Sequence, residues 1–301
     1  MKINNLKFGV YNNLQIRINK KMICFCGADN FQLTIREKLN MENQKILNSV
    51  LNEFNRFEAI EAIGIGGSSA AKTADTASDI DIYMFVNRDI PQEQREKIIK
   101  KYSTNYEVGG EYFGSGDEFY VDKMNKQLDV MYFNKKWFED NFENIWIKHY
   151  PSNGYSTCFL HTLNIMKIVN DKHGWLTKLQ NRLNTPYPQS LQKNIIKRNL
   201  MLLKDKPFAS YYEQLAKALK RNDMNSINHR TAAFLASYFD IIFAKNELLH
   251  PGEKRLVEFA KSNCKILPKD FEKNVNNLAV GKLSEKLQTA ANMIKNLREI
   301  L

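Results

Sequence analysis

The sequence predicts an α+β fold in which a mixed sheet with flanking helices is followed by an all-helical domain. Between residues 60 and 133, short apolar runs of strand length alternate with turns rich in Gly, Asp and Asn. From Ser156 onward, apolar residues recur at helical spacing and prolines stand near the ends of the periodic segments. We therefore expect an N-terminal extension of unclear role over 1–40, a sheet domain over 41–150 and a helical domain over 151–301.

The elements of both domains follow from these patterns. The sheet domain is predicted to begin with a helix over 42–57 and strands over 60–65 and 79–85, and a glycine-rich turn and a short helix separate the two strands. A helix from Pro91 to Lys101, a strand near Tyr106, and a hairpin that pairs 119–121 with 128–133 are predicted to follow. The helical domain is predicted to hold helices over 156–171, 188–203, 208–221, 226–249, 252–262 and 282–299.

The most informative stretch is Gly66-Gly67-Ser68, which ends the first predicted strand and precedes Asp79-Ile80-Asp81 in the second. Side chains alternate along a strand, so Asp79 and Asp81 point to one face while Ile80 points into a core. Like charges on one face are unfavourable unless a cation lies between them, and Mg²⁺ prefers carboxylate and phosphate oxygens. The glycines let a polyphosphate approach the backbone amides. The stretch therefore predicts a site for a metal ion and a nucleotide.

Other interpretations of the same glycines fit less well. A P-loop needs Gly-x-x-x-x-Gly-Lys-Ser/Thr, which residues 64–72 do not supply. A dinucleotide-binding turn needs Gly or Ala where Ser69 stands. The structural alternative is a tight turn before an exposed strand with solvated aspartates. It leaves unexplained a further aspartate, Asp129, inside the apolar strand QLDVMYF.

The segment IGIGGSSAAKTADTASDIDIYMF resembles the signature of the polymerase-β-type nucleotidyltransferase superfamily, in which an apolar strand, a Gly-Gly or Gly-Ser turn, a spacer and Asp-x-Asp follow in order. That superfamily also needs a third acidic residue on a later strand, and Asp129 fits. The resemblance implies a polymerase-β-like fold. It also implies Mg²⁺-dependent transfer of a nucleoside monophosphate from a nucleoside triphosphate such as ATP to an acceptor hydroxyl, with release of pyrophosphate.

The resemblance further implies roles for single residues. Asp79 and Asp81 would hold two Mg²⁺ ions, with Mn²⁺ as an alternative, and Asp129 would bind the ion beside the acceptor and help to take its proton. Nucleotide-binding positions are expected in the turn and at two lysines, namely Gly66, Gly67, Ser68, Ser69, Lys72 and Lys254. Both lysines are equally consistent with solvated side chains.

The second half carries a resemblance of its own. Asn228-His229-Arg230 and the run from His250 to Arg255 resemble a bacterial family of predicted nucleotidyltransferases, in which a helical domain of uncharacterised function follows the catalytic domain. Asp240 stands among apolar residues, and we expect a structural salt bridge there. His161 is expected to be a core histidine. His229 begins a long helix, where the helix dipole disfavours a positive group, and this gives some support to an exposed, functional placement.

Composition limits the cellular setting. No run of eighteen apolar residues is present and the start lacks a signal pattern, so we expect a cytoplasmic protein without a membrane span. The four cysteines fit a reducing compartment. The net charge of +11 suits a phosphate-rich partner, either nucleotide or RNA, although a nucleotide-composition bias of the genome would also enrich Lys and Asn.

Three functions stay open at this point. The first is transfer of the nucleotidyl group to a small hydroxylated molecule, as in antibiotic-modifying relatives, because the helical domain resembles their acceptor-pocket domains. The second is transfer to RNA or protein, as in toxin–antitoxin systems, which the basic charge favours. The third is a catalytically silent nucleotide-binding module, against which the complete set Asp79, Asp81 and Asp129 argues. The sequence predicts neither the preferred base nor the oligomeric state.

Overall fold

The computed structural model describes residues 28–67, 79–112, 114–205 and 209–301, with side chains from residue 41 onward. Contacts divide the chain into two units, residues 1–45 and 46–301. The described part of the first unit belongs to helix α1 (Ala28–Phe54). Most of the predicted extension 1–40 and the short helix predicted after the glycine turn lie outside the described residues.

In the described part of the chain, six strands form one mixed sheet. They are β1 (Ile60–Ile65), β2 (Ile80–Val86), β3 (Tyr106–Gly110), β4 (Gly116–Val121), β5 (Lys126–Asn134) and β6 (Lys167–Asp171). Their order across the sheet is β3-β4-β5-β2-β1-β6. The pair β2 and β5 is parallel and the other neighbours are antiparallel. This mixed sheet, followed by a helical region, confirms the predicted α+β class.

The remaining helices lie mostly after the sheet. They are α2 (Gln92–Ile99), α3 (Lys135–Phe142), α4 (Cys158–Ile165), α5 (Trp175–Asn181), α6 (Gln189–Leu200), α7 (Tyr211–Lys220), α8 (Met224–Lys245), α9 (Leu256–Asn263), α10 (Phe271–Val280) and α11 (Leu283–Arg298). Side-chain caps start three of the described helices. Asn134 accepts from the Trp137 amide at 3.2 Å, Ser210 from the Glu213 amide at 3.2 Å, and Asp223 from the Ser226 amide at 3.1 Å. Among the described helices, none combines the length and the apolar character that crossing a bilayer requires.

Strand alternation sends the side chains of β2 into two different cores. Ile82 and Met84 pack with residues of α1 and α2 on one side of the sheet. Phe85 packs on the other side, against Phe138 of α3 and Leu160 of α4. A third core is built by the helical residues from 203 onward. Asp81 has the same parity in β2 as Phe85, so its carboxylate lies on the face that α3 and α4 partly cover.

Three predicted helices differ clearly from the structure. The helix predicted over 42–57 begins at Ala28, inside the predicted extension, and ends at Phe54. The helix predicted over 156–171 ends at Ile165, and Lys167–Asp171 becomes the edge strand β6, which pairs antiparallel with β1. Gly64 of β1 makes this possible, because the Met166 side chain occupies the space where a Cβ at Gly64 would lie. The helix predicted from residue 252 begins only at Leu256, since Arg255 adopts a left-handed conformation with φ of 53°. Helices α3, α5 and α10 were not predicted.

Candidate active site

The parallel pairing of β2 with β5 brings two of the predicted aspartates together. Asp81 and Asp129 are direct Cα partners in this register, so their side chains leave the same face of adjacent strands. Asp79 lies one residue before β2 and is exposed. Asp81 and Asp129, which are far apart in sequence, are therefore neighbours near the beginning of β2, and the Asp79 charge acts on both.

The glycine turn lies directly beside this pair. The Gly66 amide donates to the Asp81 carbonyl oxygen at 3.0 Å, which continues the pairing of β1 with β2 beyond the strand end. Gly67 has φ of +60°, and a Cβ there would run into the Asp81 carboxylate. A Cβ at Gly66 would come within 2.5 Å of the Tyr83 ring. Both positions thus require glycine because a neighbouring side chain lies where a Cβ would be, and Gly67 is also required by its backbone conformation.

The aspartates disturb one another electrostatically. Burial raises the pKa of Asp81, and the Asp129 charge adds to that rise; Lys254 opposes it and Asp79 adds further. Burial also raises the pKa of Asp129, opposed by a hydrogen bond from Gln127 Nε2 at 2.8 Å and supported by Asp79. Negative charge is therefore concentrated where two strands and a turn converge, which favours a bound cation.

The residues present fit a magnesium ion by donor chemistry, since carboxylate oxygens are its preferred protein ligands. Within residues 41–67, 79–112, 114–205 and 209–301, however, no group of three or more His, Cys, Asp or Glu side chains lies close enough to hold a metal ion. The register brings Asp81 and Asp129 together as a pair, and Asp79 stands at its exposed side.

A lysine from the second half of the chain reaches the same place. The charge of Lys254 lowers the pKa of Asp81, so the ammonium lies within electrostatic range of that carboxyl. Its loop is anchored at two points: the His250 amide donates to Thr157 Oγ1 at 2.8 Å, and the Gly252 amide donates to His250 Nδ1 at 3.2 Å. The residues before α4 thus hold the loop that presents Lys254.

Comparison with known proteins agrees with this geometry. Residues 45–152 match the nucleotidyltransferase domain, and residues 157–256 match a domain of unknown function, DUF4037. The chain contains a nucleotidyltransferase domain. Transfer of a nucleotidyl group is the general activity of this class, and the resemblance predicted from the sequence is confirmed.

Two solved structures are similar to this chain at low identity. One is a nucleotidyltransferase-like protein from Exiguobacterium sibiricum 255-15, with a TM-score of 0.43, 10% identity, and coverage of 84% of this chain and 73% of that one. The other is the STING-associated CdnE c-di-GMP synthase from Capnocytophaga granulosa, with a TM-score of 0.30, 13% identity, and coverage of 88% of this chain and 81% of that one. No curated protein matches the chain.

The remaining predicted positions divide into two groups. Gly66 and Gly67 lie beside Asp81, and Lys254 lies within electrostatic range of its carboxyl. Ser68, Ser69 and Lys72 lie outside the described residues, so their predicted contacts with the triphosphate stay predictions.

Asp240 differs from its prediction. Its carboxylate is only 1% exposed and forms no ion pair among the described residues. Instead it accepts hydrogen bonds from the Ser156 amide at 3.0 Å, from Ser156 Oγ at 2.6 Å and from Asn199 Nδ2 at 2.9 Å. These bonds satisfy the buried carboxylate without a cation. Burial nevertheless raises the pKa of Asp240 to about 6, against the lowering effect of the Ser156 and Asn199 hydrogen bonds.

The two histidines lie away from the carboxylates. His161 is half-buried in α4, with its ring 5.8 Å from that of Phe259, and burial lowers its pKa. This agrees with a core histidine. His229 is exposed near the start of α8, and a functional role for it stays a prediction.

Three further residues of the site were missed by sequence reasoning. Glu118 is the register partner of Asp129, and Glu107 is the partner of Glu118, so a row of carboxylates crosses from β3 to β2. The predicted hairpin began at Phe119, one residue too late to include Glu118. Tyr83 lies two residues after Asp81 on the same face, and burial together with Asp81 and Cys158 raises its pKa to about 12. The alternation of side chains along the strand, counted from Asp81, is the sequence signal that identifies Tyr83.

Proposed function

We propose that this protein transfers a nucleoside monophosphate from a nucleoside triphosphate to an acceptor hydroxyl and releases pyrophosphate. The observation that supports this most directly is the register pairing of Asp81 with Asp129 beside Gly66 and Gly67. It combines a carboxylate pair with a closely packed glycine turn, within a nucleotidyltransferase domain.

Asp79, Asp81 and Asp129 would hold magnesium, which when bound neutralises triphosphate charge and polarises the phosphoryl oxygens. Asp129 sits on the β4 side of the pair, where it is free of the glycine turn and next to Glu118. Its pKa is raised mainly by burial, which suits a carboxylate that takes a proton from the acceptor hydroxyl. We assign the acceptor to this side of the site.

The triphosphate belongs on the opposite side of Asp81. The Gly66 amide is already bonded to the Asp81 carbonyl oxygen, so we assign the phosphate contacts to the amides of Gly67 and Ser69. A side chain at position 67 is excluded, since its Cβ would displace the Asp81 carboxylate. Lys254 adds a positive charge from the second half of the chain. Ser68, Ser69 and Lys72 complete the predicted set of phosphate contacts.

We propose the division into a catalytic domain over 41–150 and a helical domain over 151–301, with the helical domain supplying Lys254 as one wall of the site. The first expected acceptor is a small hydroxylated molecule, and RNA or protein is the second. Incubation with each labelled triphosphate, magnesium and a cell extract distinguishes them by which fraction becomes labelled. An Asp129→Asn variant serves as the control, because it should bind the triphosphate and label nothing.

If the protein is instead a catalytically silent nucleotide-binding module, the expected result of the same assay is different. Triphosphate and magnesium would raise the melting temperature of the wild-type protein, yet no extract from any source would yield pyrophosphate or a labelled product.

A further inference from the structure

Charge is segregated along this chain. Residues 41–150 contain 13 Lys and Arg against 19 Asp and Glu, whereas residues 151–301 contain 24 against 12. A nucleotide-composition bias acts on a whole gene and enriches lysine throughout. It therefore does not explain why one half is negative and the other strongly positive. The basic balance of the protein is a property of its second half.

One segment of that half lacks acidic residues altogether. Residues 172–204 contain seven Lys and Arg and no Asp or Glu. Lys193 and Lys197 are one helical turn apart on α6, and both are exposed. Neither forms an ion pair with any described residue. Their charges are therefore available to a partner rather than used within the fold.

A cleft of about 340 Å³ lies between α6 and the preceding loop at 151–153. Its polar lining is Asn153, Asn194, Lys197 and Arg198, and no carboxylate lines it. Arg198 Nε donates to Asn153 Oδ1 at 2.7 Å, which holds the guanidinium at the edge of the cleft. Tyr150, next to the lining residue Pro151, is 62% exposed.

This set of groups matches the chemistry of single-stranded nucleic acid. Cations track the phosphates, side-chain amides hydrogen-bond to bases or sugars, and an exposed aromatic ring stacks on a base. An acidic protein surface would use the cations but would leave the exposed tyrosine without a specific role. The charge contrast between the halves is also the kind of asymmetry that nucleic-acid partners produce.

We propose that the α6 cleft, defined by Asn153, Asn194, Lys197 and Arg198, binds the backbone of single-stranded RNA. The binding itself is independent of catalysis. Its consequence, that an RNA hydroxyl is the acceptor, rests on the proposed function. The cleft is linked to the site in sequence, since the loop that borders it continues through Ser156 and Thr157 to the anchor of the Lys254 loop.

The test measures binding of a labelled single-stranded RNA of about 20 nucleotides, longer than one typical binding site, to the full chain by fluorescence anisotropy over a range of salt concentrations. The double variant Lys193→Glu, Lys197→Glu should weaken binding about tenfold or more and flatten its salt dependence by about 0.7 per lost phosphate contact. Lys265→Glu, Lys273→Glu is the matched control, because both lysines are exposed outside the segment and the net charge changes equally. The control should weaken binding less than about threefold, within the range of long-range charge effects.

The proposal is overturned if the control pair weakens binding as much as the α6 pair, if polyglutamate displaces the RNA as well as unlabelled RNA does, or if the wild-type chain binds no RNA. Failure of the proposed function gives a different pattern. In that case RNA binds at α6 while no triphosphate yields pyrophosphate. If pyrophosphate is released but RNA does not bind, the nucleotidyl transfer stands and the cleft proposal fails.

Discussion

Lys254, in the loop before α9, lies close enough to Asp81 of β2 for its positive charge to lower the pKa of that carboxyl. The two residues are far apart in sequence, yet the ammonium lies within electrostatic range of the carboxylate that the glycine turn also contacts. This relationship connects the helical half to the chemistry of the sheet and leads to the first prediction.

Lys254→Met should raise the KM for the triphosphate about tenfold or more, since a charge-assisted contact contributes about 1.5–3 kcal/mol. The lost charge also lets the pKa of Asp81 rise further, because Lys254 is the cation that opposes the effects of burial and Asp129. Steady-state kinetics measure the change. Lys273→Met, on an exposed face of α10, is the control and should leave KM unaltered.

Gly67→Ala should abolish most turnover, because the new methyl group collides with the Asp81 carboxylate and the residue has φ of +60°. Gly174→Ala separates the two causes. Gly174 has φ of +64° but nothing within 4 Å of its Cβ position. Both variants should lose about 1 kcal/mol of stability from the backbone conformation. Only Gly67→Ala should lose activity, and equal activity losses in the two variants would contradict the account.

The buried carboxylate of Asp240 gives a pH prediction. Its folded pKa of about 6 lies above the ordinary value of 3.8, so the folded state binds this proton more readily than the unfolded state. The stabilisation is therefore complete below pH 4 and is lost as the pH rises towards 6, with a total of about 3 kcal/mol. Urea unfolding at several pH values should show this loss as a decrease in the free energy of unfolding with rising pH, and Asp240→Asn should remove that decrease.

His250 changes the pH dependence of stability in the opposite direction, so its effect must be separated from that of Asp240. Burial, with a further contribution from His161, lowers the pKa of His250 to about 3, so its contribution to stability is present above pH 6.5 and is lost as the pH falls. Because both proteins in the comparison keep His250, the difference in unfolding free energy between wild type and Asp240→Asn isolates the aspartate. A difference that stays constant from pH 4 to pH 7 would refute the assignment.

Local patterns in the sequence predicted the parts of the site that lie on single strands. The glycine turn, the Asp79–Asp81 alternation and Asp129 within an apolar run all depend on residues near one another in the chain. The α+β class followed from the same patterns. Strand order decides that Asp81 and Asp129 are partners, and the sequence predicted their meeting only through the resemblance.

The features that escaped prediction depend on distant contacts. Ser156 and Asp240 are 84 residues apart, and their hydrogen bond replaces the expected salt bridge. β6 forms because β1 offers an open edge and a glycine that accommodates Met166, whereas its own sequence continues an apolar helical pattern. Glu118 joined the carboxylate row only when the pairing of β4 with β5 was known.

The central claim is that Asp81 and Asp129 act together in magnesium-dependent nucleotidyl transfer. The most direct measurement is pyrophosphate release from a triphosphate in the presence of magnesium and extract-derived acceptor, for wild type, Asp81→Asn and Asp129→Asn, with circular dichroism to verify the fold. We predict that each variant keeps its fold and loses several orders of magnitude in rate, as expected when an essential catalytic group is removed. Near-normal release by either folded variant would contradict the claim.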